Sequence, residues 1–524
     1  MSKGNFSMIR SVGTVGSMTV ISRVTGLVRD MVFAQFLGSG PIADAFFVAF
    51  RIPNFFRRIF GEGALSVAFV PVYSEYETRY PPSEVSAFLN LMAGRLAMIL
   101  IAFTASGVIF APEVIRIIAP GFIDDPMKYE ASVTTLRLAF PYLFFISLVA
   151  LAAGVLNTHG RFAAAAMTPV LLNLCLIGTV WLWVPMGSDP AAVLGGGVLL
   201  AGLIQFGFQL PFLKRIGRLP RPRLYARGAH GRLAREGVSQ VFRLMLPAIF
   251  GVSIAQINLL VNTILASFLI TGSVSWLYYS DRLMEFPLGV FGVALATVIL
   301  PSLSRNIAAE DHEAYDTTLN WALRLVLLIC VPATIGLVLL ATPLISTLFQ
   351  YGVFSAYDVE MAAKSLVAFS IGLPAFVLIK VLAPGFYALK DTRTPVLVGA
   401  IAMVVNAGIA LALFGPLAHV GLALATSIAG IVNAGLLYIL LKKKTRFSLE
   451  AGWVYFLGRV AIAGVLMALV IKLGSPEASI WTEKEALWRV SILFAWIIAS
   501  ALAYFAALYG MGISVHRLFE RRAS

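Results

Sequence analysis

The sequence predicts an all-α integral membrane protein of about 14 transmembrane helices, and three observations support this fold class. Hydrophobic residues make up 59% and charged residues 13% of the chain, whereas average proteins have roughly 25% charged residues. Several stretches without Asp, Glu, Lys or Arg reach the ~20 residues that a membrane-spanning helix needs: 191–213, 244–280, 396–415 and 417–440. These stretches lack the alternating pattern of barrel strands, so we expect helices.

The candidate spans follow one another with mostly short connections. They cover 8–37, 41–75, 87–112, 134–157, 162–185, 191–213, 238–270, 273–305, 316–348, 360–389, 394–414, 417–441, 452–474 and 486–512. Basic residues concentrate in the connections that are cytoplasmic when the N-terminus is inside, which predicts that both termini are cytoplasmic. Membrane topology thereby explains the net charge of +14, and we expect no nucleic-acid partner.

A basic connector divides the predicted helices into two groups. Residues 214–235 contain eight Lys or Arg side chains and two prolines, which is typical of a surface segment on an anionic leaflet. We therefore predict that anionic membrane lipids bind this linker. The predicted regions are an N-terminal lobe (1–213, spans 1–6), the linker (214–237), a C-terminal lobe (238–441, spans 7–12), and two further helices with a cytoplasmic tail (442–524).

The two lobes resemble each other at a nearly constant offset along the chain. Ala64 matches Ala294, Pro71 matches Pro301 and Ser74 matches Ser304, and after a small gap Asn173 matches Asn406. Because the matches keep their order, they indicate a duplicated six-helix unit whose two copies start on the same side of the membrane. Parallel repeats of this kind are typical of two-lobed transporters that work by alternating access.

Ionisable residues inside the predicted spans form the candidate site, because a charge in the bilayer is costly and by default marks a pathway or a ligand. They are Arg23, Arg29 and Asp30 in the first span, Asp44, Arg51, Arg57, Arg58 and Glu62 in the second, Asp281, Arg282 and Glu285 in the eighth, and Lys380 in the tenth. The planar fork of arginine suits bidentate contact with phosphate, and neighbouring carboxylates can hold the guanidiniums in place. An anionic substrate is therefore predicted.

The spacing within the second span places three of these charges on one helix face. Seven residues turn an ideal helix through ~700°, close to two full turns, so Asp44, Arg51 and Arg58 align. A second interpretation stays open for Arg29 and Arg51, which could be paired charges that reach the membrane interface. In the first span, Gly26 favours a break in the helix.

The sequence shows no catalytic constellation. The five histidines are scattered in or near predicted loops, and Cys175 and Cys330 lie far apart in apolar spans. We find no glycine-rich phosphate loop with its lysine. A transporter without a cofactor or metal is therefore favoured over an enzyme.

Several ordered runs carry a family resemblance. They are SRVTGLVRD (22–30), DAFFVAF (44–50), RRIFGEGA (57–64), DRLMEFP (281–287) and VLAPGFY (381–387). With them, essentially the whole chain resembles the MurJ (MviN) family of lipid II flippases in the MOP exporter superfamily. The resemblance implies export of the lipid-linked peptidoglycan precursor from the cytoplasmic to the periplasmic leaflet of the bacterial inner membrane, as peptidoglycan synthesis requires.

The resemblance also assigns roles to the charged residues. It implies functional arginines at Arg23, Arg29, Arg57 and Arg282, and supporting acids at Asp44, Glu62 and Asp281. It favours Arg57 over Arg58 in the second span; we keep both as candidates, and Lys380 and Glu285 as coupling candidates. It further implies that the two extra helices form a groove for the polyprenyl tail.

The seventh span bears on the energy source of transport. Some members of the family bind sodium through an acid in the seventh span, but here that span offers Asn258 and Asn262 and no acid, which favours the membrane potential. A related lipid-linked oligosaccharide flippase, a cation-coupled drug exporter, a scaffold and an intramembrane enzyme remain alternatives. We expect a monomer whose partner is lipid II.

Overall fold

The computed structural model describes residues 3–226, 228–445 and 447–513, without the side chains of 3–15, 60–63, 228–230, 250–252, 254–255, 293–294 and 297. Throughout these ranges the regular structure is helical, which confirms the predicted all-α class. The predicted cytoplasmic tail lies outside the described residues.

The described chain forms two compact units that meet in sequence between Gly272 and Ser273. The first contains α1 (Lys3–Leu37), α2 (Pro41–Phe56), α3 (Ser66–Arg79), α4 (Pro82–Ile109), α5 (Ala111–Ile118), α6 (Pro126–Ala139), α7 (Tyr142–Thr158), α8 (Phe162–Ala166), α9 (Thr168–Trp183), α10 (Pro190–Arg215) and α11 (Gly228–Ser267). Proline in the first turn starts several of these helices, since its missing N–H would have no partner there.

The second unit has the same kinds of elements and two additional long helices. It contains α12 (Ser273–Pro287), α13 (Val293–Ala308), α14 (His312–Leu339), α15 (Ala341–Phe349), α16 (Ala356–Ile371), α17 (Leu373–Ala388), α18 (Arg393–Thr445), α19 (Trp453–Gly474), α20 (Ala478–Glu483) and α21 (Ala486–Gly510). Ala418, at φ 47°, interrupts α18 between the predicted spans 394–414 and 417–441.

Nine helical segments of the described residues are long and apolar enough to cross a membrane. The count of 14 stays a prediction. The nine do not include α1, α2, α11 and α12, which belong to the first, second, seventh and eighth predicted spans.

The helix bounds repeat at the offset that the sequence predicts. Helix α4 begins at Pro82 and helix α14 at His312, and both have 28 residues. The short helices α5 and α15 begin at Ala111 and Ala341, which are separated by the same interval. The two units therefore share a succession of equivalent helices.

A π-helical segment interrupts the second helix of each repeat at the same place. Arg57–Leu65 joins α2 to α3, and Leu288–Gly292 joins α12 to α13. Wide turns of this kind are frequent at functional sites. By contrast, α1 runs through Gly26 as a continuous helix, so the expected break at Gly26 is wrong.

The core of the first unit shows why α11 groups with it. Val238, Val241 and Met245 of α11 belong to one buried cluster with residues of α3, α4 and α7. Helix α11 begins at Gly228, before the start of the predicted span at residue 238. The predicted lobe boundaries follow the duplication and stay a prediction, whereas by its contacts α11 packs with the helices that precede it.

Candidate functional site

The two arginines of α1 lie in different environments. Arg29 is buried, and its guanidinium donates to Asp30 Oδ1 at 2.7 Å and to Asn173 Oδ1 of α9 at 3.0 Å. Arg23 is half-buried and forms no hydrogen bond or ion pair within the described part of the chain. Arg29 is thus held by contacts within the protein, whereas Arg23 makes no such contact among the described residues.

Asn173 fixes α1 against α9. Its amide nitrogen donates to the Ser22 carbonyl at 3.1 Å and to Thr25 Oγ1 at 3.2 Å, while its oxygen accepts from Arg29. The helices are close here, because a Cβ added to Gly26 would lie 3.5 Å from the Asn173 amide nitrogen. Sequence reasoning recorded Asn173 as a repeat marker and missed this role; a buried amide within an apolar span was the available signal.

Three charged residues of the second span form a polar seam against α11 and the residues that follow it. Asp44 accepts from the Gly272 backbone at 2.7 Å, Arg51 donates to Thr263 Oγ1, and Arg58 donates to Gln256 Oε1 at 3.3 Å. The contacts run antiparallel, since they move back along the chain from 272 to 256 as the second span advances. The predicted common face of Asp44, Arg51 and Arg58 is confirmed.

Arg57 lies beside this seam and makes a different contact. It begins the π-helical segment, and its Nε donates to Asn54 Oδ1 at 3.0 Å. Arg57 is half-buried, and this contact lies within the second span itself. The side chain of Glu62 lies outside the described residues.

The equivalent place in the second unit carries charges of both signs. Asp281 is half-buried, whereas Arg282 is exposed and pairs with Glu285 at 3.2 Å. The Arg282 guanidinium also lies 5.1 Å from the centre of the Tyr278 ring, a cation–π arrangement. These residues lie in the last two turns of α12, directly before its π-helical segment.

Lys380 of α17 lies near the same π-helical segment. Its side chain is exposed, and its Cγ lies 3.5 Å from the place that a Cβ on Gly292 would take. It makes no hydrogen bond or ion pair within the described residues. Among the residues that the structure describes, no group of three His, Cys, Asp or Glu side chains could hold a metal ion.

The basic linker is attached to the first unit by specific polar contacts. Arg218 donates to Glu77, which also accepts from Tyr73 and lies 3.5 Å from His159. Burial alone would raise the pKa of the Glu77 carboxyl, but the hydrogen bonds from Arg218 and Tyr73 outweigh it and lower this pKa below its ordinary value. The linker therefore starts as an anchored segment.

One asparagine of each unit holds the chain that leaves its six-helix repeat. Asn90 of α4 accepts the Arg221 amide at its side chain and the Arg223 amide at its carbonyl. Asn320, its counterpart in α14, donates to the Ser448 carbonyl and accepts from the Glu450 amide and the Trp453 indole. The same residue type thus performs the same task at equivalent positions.

The fold and the charged spans define a class of protein. An inward-facing multidrug resistance MATE family transporter of the MOP superfamily is structurally similar, with a TM-score of 0.66 at 15% identity, over 81% of this chain and 94% of that chain. The protein accordingly has the fold of MOP-superfamily transporters and is a multi-pass membrane protein.

Closer similarities identify the family. The family model "Lipid II flippase MurJ" matches residues 33–491. A probable lipid II flippase MurJ of Haemophilus influenzae is 42% identical over 96% of this chain and all of its own length, and a lipid II flippase MurJ of Burkholderia cenocepacia is 39% identical over 99% of this chain and all of its own. The chain belongs to the MurJ family of lipid II flippases.

A solved family structure agrees with this assignment. The structure titled lipid II flippase MurJ, inward closed conformation, has a TM-score of 0.77 at 26% identity and covers 94% of this chain and 99% of its own. The predicted family and superfamily fold are therefore confirmed over nearly the whole chain.

Proposed function

We propose that this protein moves lipid II from the cytoplasmic to the periplasmic leaflet of the bacterial inner membrane by alternating access. Its family supports this substrate, since relatives matched over their full length carry the name lipid II flippase. The structural observation that carries the proposal is Arg23, a half-buried cation of α1 in the first predicted span, with no ion pair or hydrogen bond in the described residues. The free-energy cost of such a charge in a membrane is high unless a bound ligand pairs with it.

The proposed contacts to the pyrophosphate of lipid II come from Arg23, Arg57 and Arg282. Arg57 is half-buried and Arg282 is exposed, so both guanidiniums are accessible to a ligand in this proposal. Each can form paired hydrogen bonds with phosphate oxygens, an arrangement stronger than contact with a neutral group. Arg58 takes part through its exposed side chain, which leaves a weak contact at 3.3 Å to Gln256.

The remaining charged residues have supporting roles in this proposal. Arg29 holds α1 in place through Asp30 and Asn173 rather than contacting the substrate directly. Asp44 fixes the start of α2 to the end of the seam. Glu62 and Asp281 are proposed as acids that position the arginines, as the family resemblance implies.

Coupling and membrane placement follow the same proposal. A potential of ~100 mV contributes about 2.3 kcal/mol for each charge that crosses the membrane, enough to reset a mobile cationic region without ATP. Lys380 and Glu285 are the proposed coupling residues, because both are charged and accessible beside a π-helical segment. We further propose that the protein is a monomer with cytoplasmic termini, that its linker binds anionic lipids, and that α19 and α21 hold the polyprenyl tail.

Complementation with lipid II measurement tests this function. A strain depleted of its own flippase would express the intact chain, Arg23→Ala, Arg23→Lys or the control Arg79→Ala, whose side chain is 69% exposed in a surface pair. Loss of the charged contacts at Arg23 should slow flipping at least tenfold, because hydrogen bonds to charged groups contribute about 1.5–3 kcal/mol. Lysine should give an intermediate rate, since it lacks the planar fork.

The same experiment separates the alternatives. Lipid II should accumulate on the inner leaflet with Arg23→Ala and stay at its normal level with Arg79→Ala. Full growth of the Arg23→Ala strain without accumulation would remove Arg23 from the mechanism. If the intact chain itself failed to relieve lipid II accumulation but restored transport of another lipid-linked oligosaccharide, the substrate assignment would be wrong.

A further inference from the structure

The C-terminal half of α4 presents an exposed apolar face within the first unit. Met98 and Ile101 are 51% and 58% exposed, and the small residues Ala102, Ala105 and Ser106 are exposed beside them. These positions are three and four residues apart, so they share one side of the helix. Helix α11 also contacts α4, but the side chains of this face remain exposed.

The equivalent face of α14 in the second unit is covered by a helix. A Cβ added to Gly464 of α19 would lie 2.9 Å from Ile335 Cδ1 and 3.5 Å from Val331 Cγ1, so α19 approaches closely through this glycine. One turn later, Met467 Cε lies 3.7 Å from the place that a Cβ on Gly336 would take. Small residues allow this close contact between membrane helices.

The internal duplication relates the two faces position by position. Asn90 and Asn320, and Thr104 and Thr334, are identical pairs within these helices. The pairs on the faces themselves are Met98 with Leu328, Ile101 with Val331, Ala105 with Ile335, and Ser106 with Gly336. Leu328 is 1% exposed, and its carbonyl accepts from the Tyr504 hydroxyl of α21 at 3.1 Å, whereas Met98 has no such cover.

A cavity lies directly beside the open face, and Ser106 belongs to both. It has a volume of about 310 Å³, and its lining includes Ser106 and the rings of Phe103, Phe110 and Phe140. The equivalent of Ser106 is Gly336, the residue against which α19 places Met467. The first unit thus has both the open face and the space that an incoming helix side chain would fill.

We propose that this α4 face binds a transmembrane helix of a partner protein. The partner helix is apolar, places a glycine against Ile101 and Ala105, and inserts a long apolar side chain into the cavity near Ser106. Its contacts repeat those that α19 makes with α14. This binding site is independent of the proposed substrate.

A synthetic helix with the sequence of α19 (Trp453–Gly474) serves as the probe. The full-length chain would carry Cys175→Ala and Cys330→Ala, with a bimane fluorophore on Ile101→Cys, in nanodiscs of phosphatidylethanolamine and phosphatidylglycerol. The probe helix would carry a nitroxide quencher on Val465→Cys. The matched control places bimane on Leu203→Cys of α10, a residue that is 47% exposed.

Saturable quenching at position 101, with only a linear rise at position 203, is the expected result. Two changes should each weaken the apparent affinity at least tenfold: Ala105→Phe in the chain and Gly464→Leu in the probe. The probe variant cannot disturb folding of the chain. Equal, non-saturating quenching at both positions, or insensitivity to Gly464→Leu, would overturn the proposal.

Photocrosslinking in cells identifies the natural occupant. A photoreactive residue at Ile101 should yield one discrete adduct with another membrane protein, and Ala105→Phe should abolish that adduct. Adducts with lipid alone would mean that acyl chains cover the face. An adduct with a second copy of this chain would mean self-association, and either result would refute a partner helix.

Discussion

Replacing Asn173 with alanine should destabilise the first unit by about 3 kcal/mol. The change removes one hydrogen bond from the charged Arg29 guanidinium and two from the Asn173 amide to α1. A bond to a charged group contributes about 1.5–3 kcal/mol, and interhelical hydrogen bonds in membranes average about 0.6 kcal/mol. Asn173 is 5% exposed, so water cannot easily replace the lost partners.

Unfolding of the purified protein in mixed micelles, with increasing sodium dodecyl sulfate, measures this loss. The neighbouring Leu174→Ala is the control, because Leu174 is 49% exposed and such surface changes stay within about 0.5 kcal/mol. A double-mutant cycle with Arg29→Met should show that the two losses are not additive. A cost below about 0.5 kcal/mol for Asn173→Ala, or full additivity with Arg29→Met, would refute the role of Asn173.

Two further predictions concern the packing of the linker against α4 and the ion pair between Lys444 and Asp391. Gly94→Leu should release the linker and speed tryptic cleavage after Arg223, because a Cβ on Gly94 would overlap the Arg223 backbone; Gly178→Ala, with open space around it, should leave digestion unchanged. Hydrogen bonds from Lys444 and Thr394 hold the pKa of Asp391 well below its usual range. The ionised carboxylate of Asp391 therefore stabilises the folded protein at neutral pH, and this contribution is lost as the pH falls below about 4. Asp391→Asn should lower the melting temperature at pH 7 and flatten its dependence on pH in that acidic window, and an unchanged pH profile would contradict this.

The sequence was sufficient to predict the features that depend on regular spacing. The duplication appears as helices of equal length at equivalent places in the two units, because the same helices recur in the same order. The seven-residue spacing correctly placed Asp44, Arg51 and Arg58 on one face. Spacing could not identify their partners on α11 and directly after it, which lie 198 to 228 residues away in sequence.

Other features depend on contacts that no local pattern contains. The linker composition predicted a surface segment, but its anchoring requires Asn90 and Glu77, 131 and 141 residues before their partners. The π-helical segments were not predicted, because a widened turn adds one residue without changing the apolar composition. The break expected at Gly26 is absent because the hydrogen bonds from Asn173 to Ser22 and Thr25 and from Arg29 to Asn173 hold both sides of this glycine in one helix.

Asn90 of α4 and Asn320 of α14 each form hydrogen bonds with the segment that leaves their repeat, and we call this set of contacts the asparagine clamp. In one copy the clamped segment leads to α11, and in the other it leads to α19, two helices with different sequences. A truncation placed before Ser448 would strip Asn320 of three of its partners inside the protein. A chain that keeps residues 448–453 retains these three contacts of Asn320, whatever change is made further on.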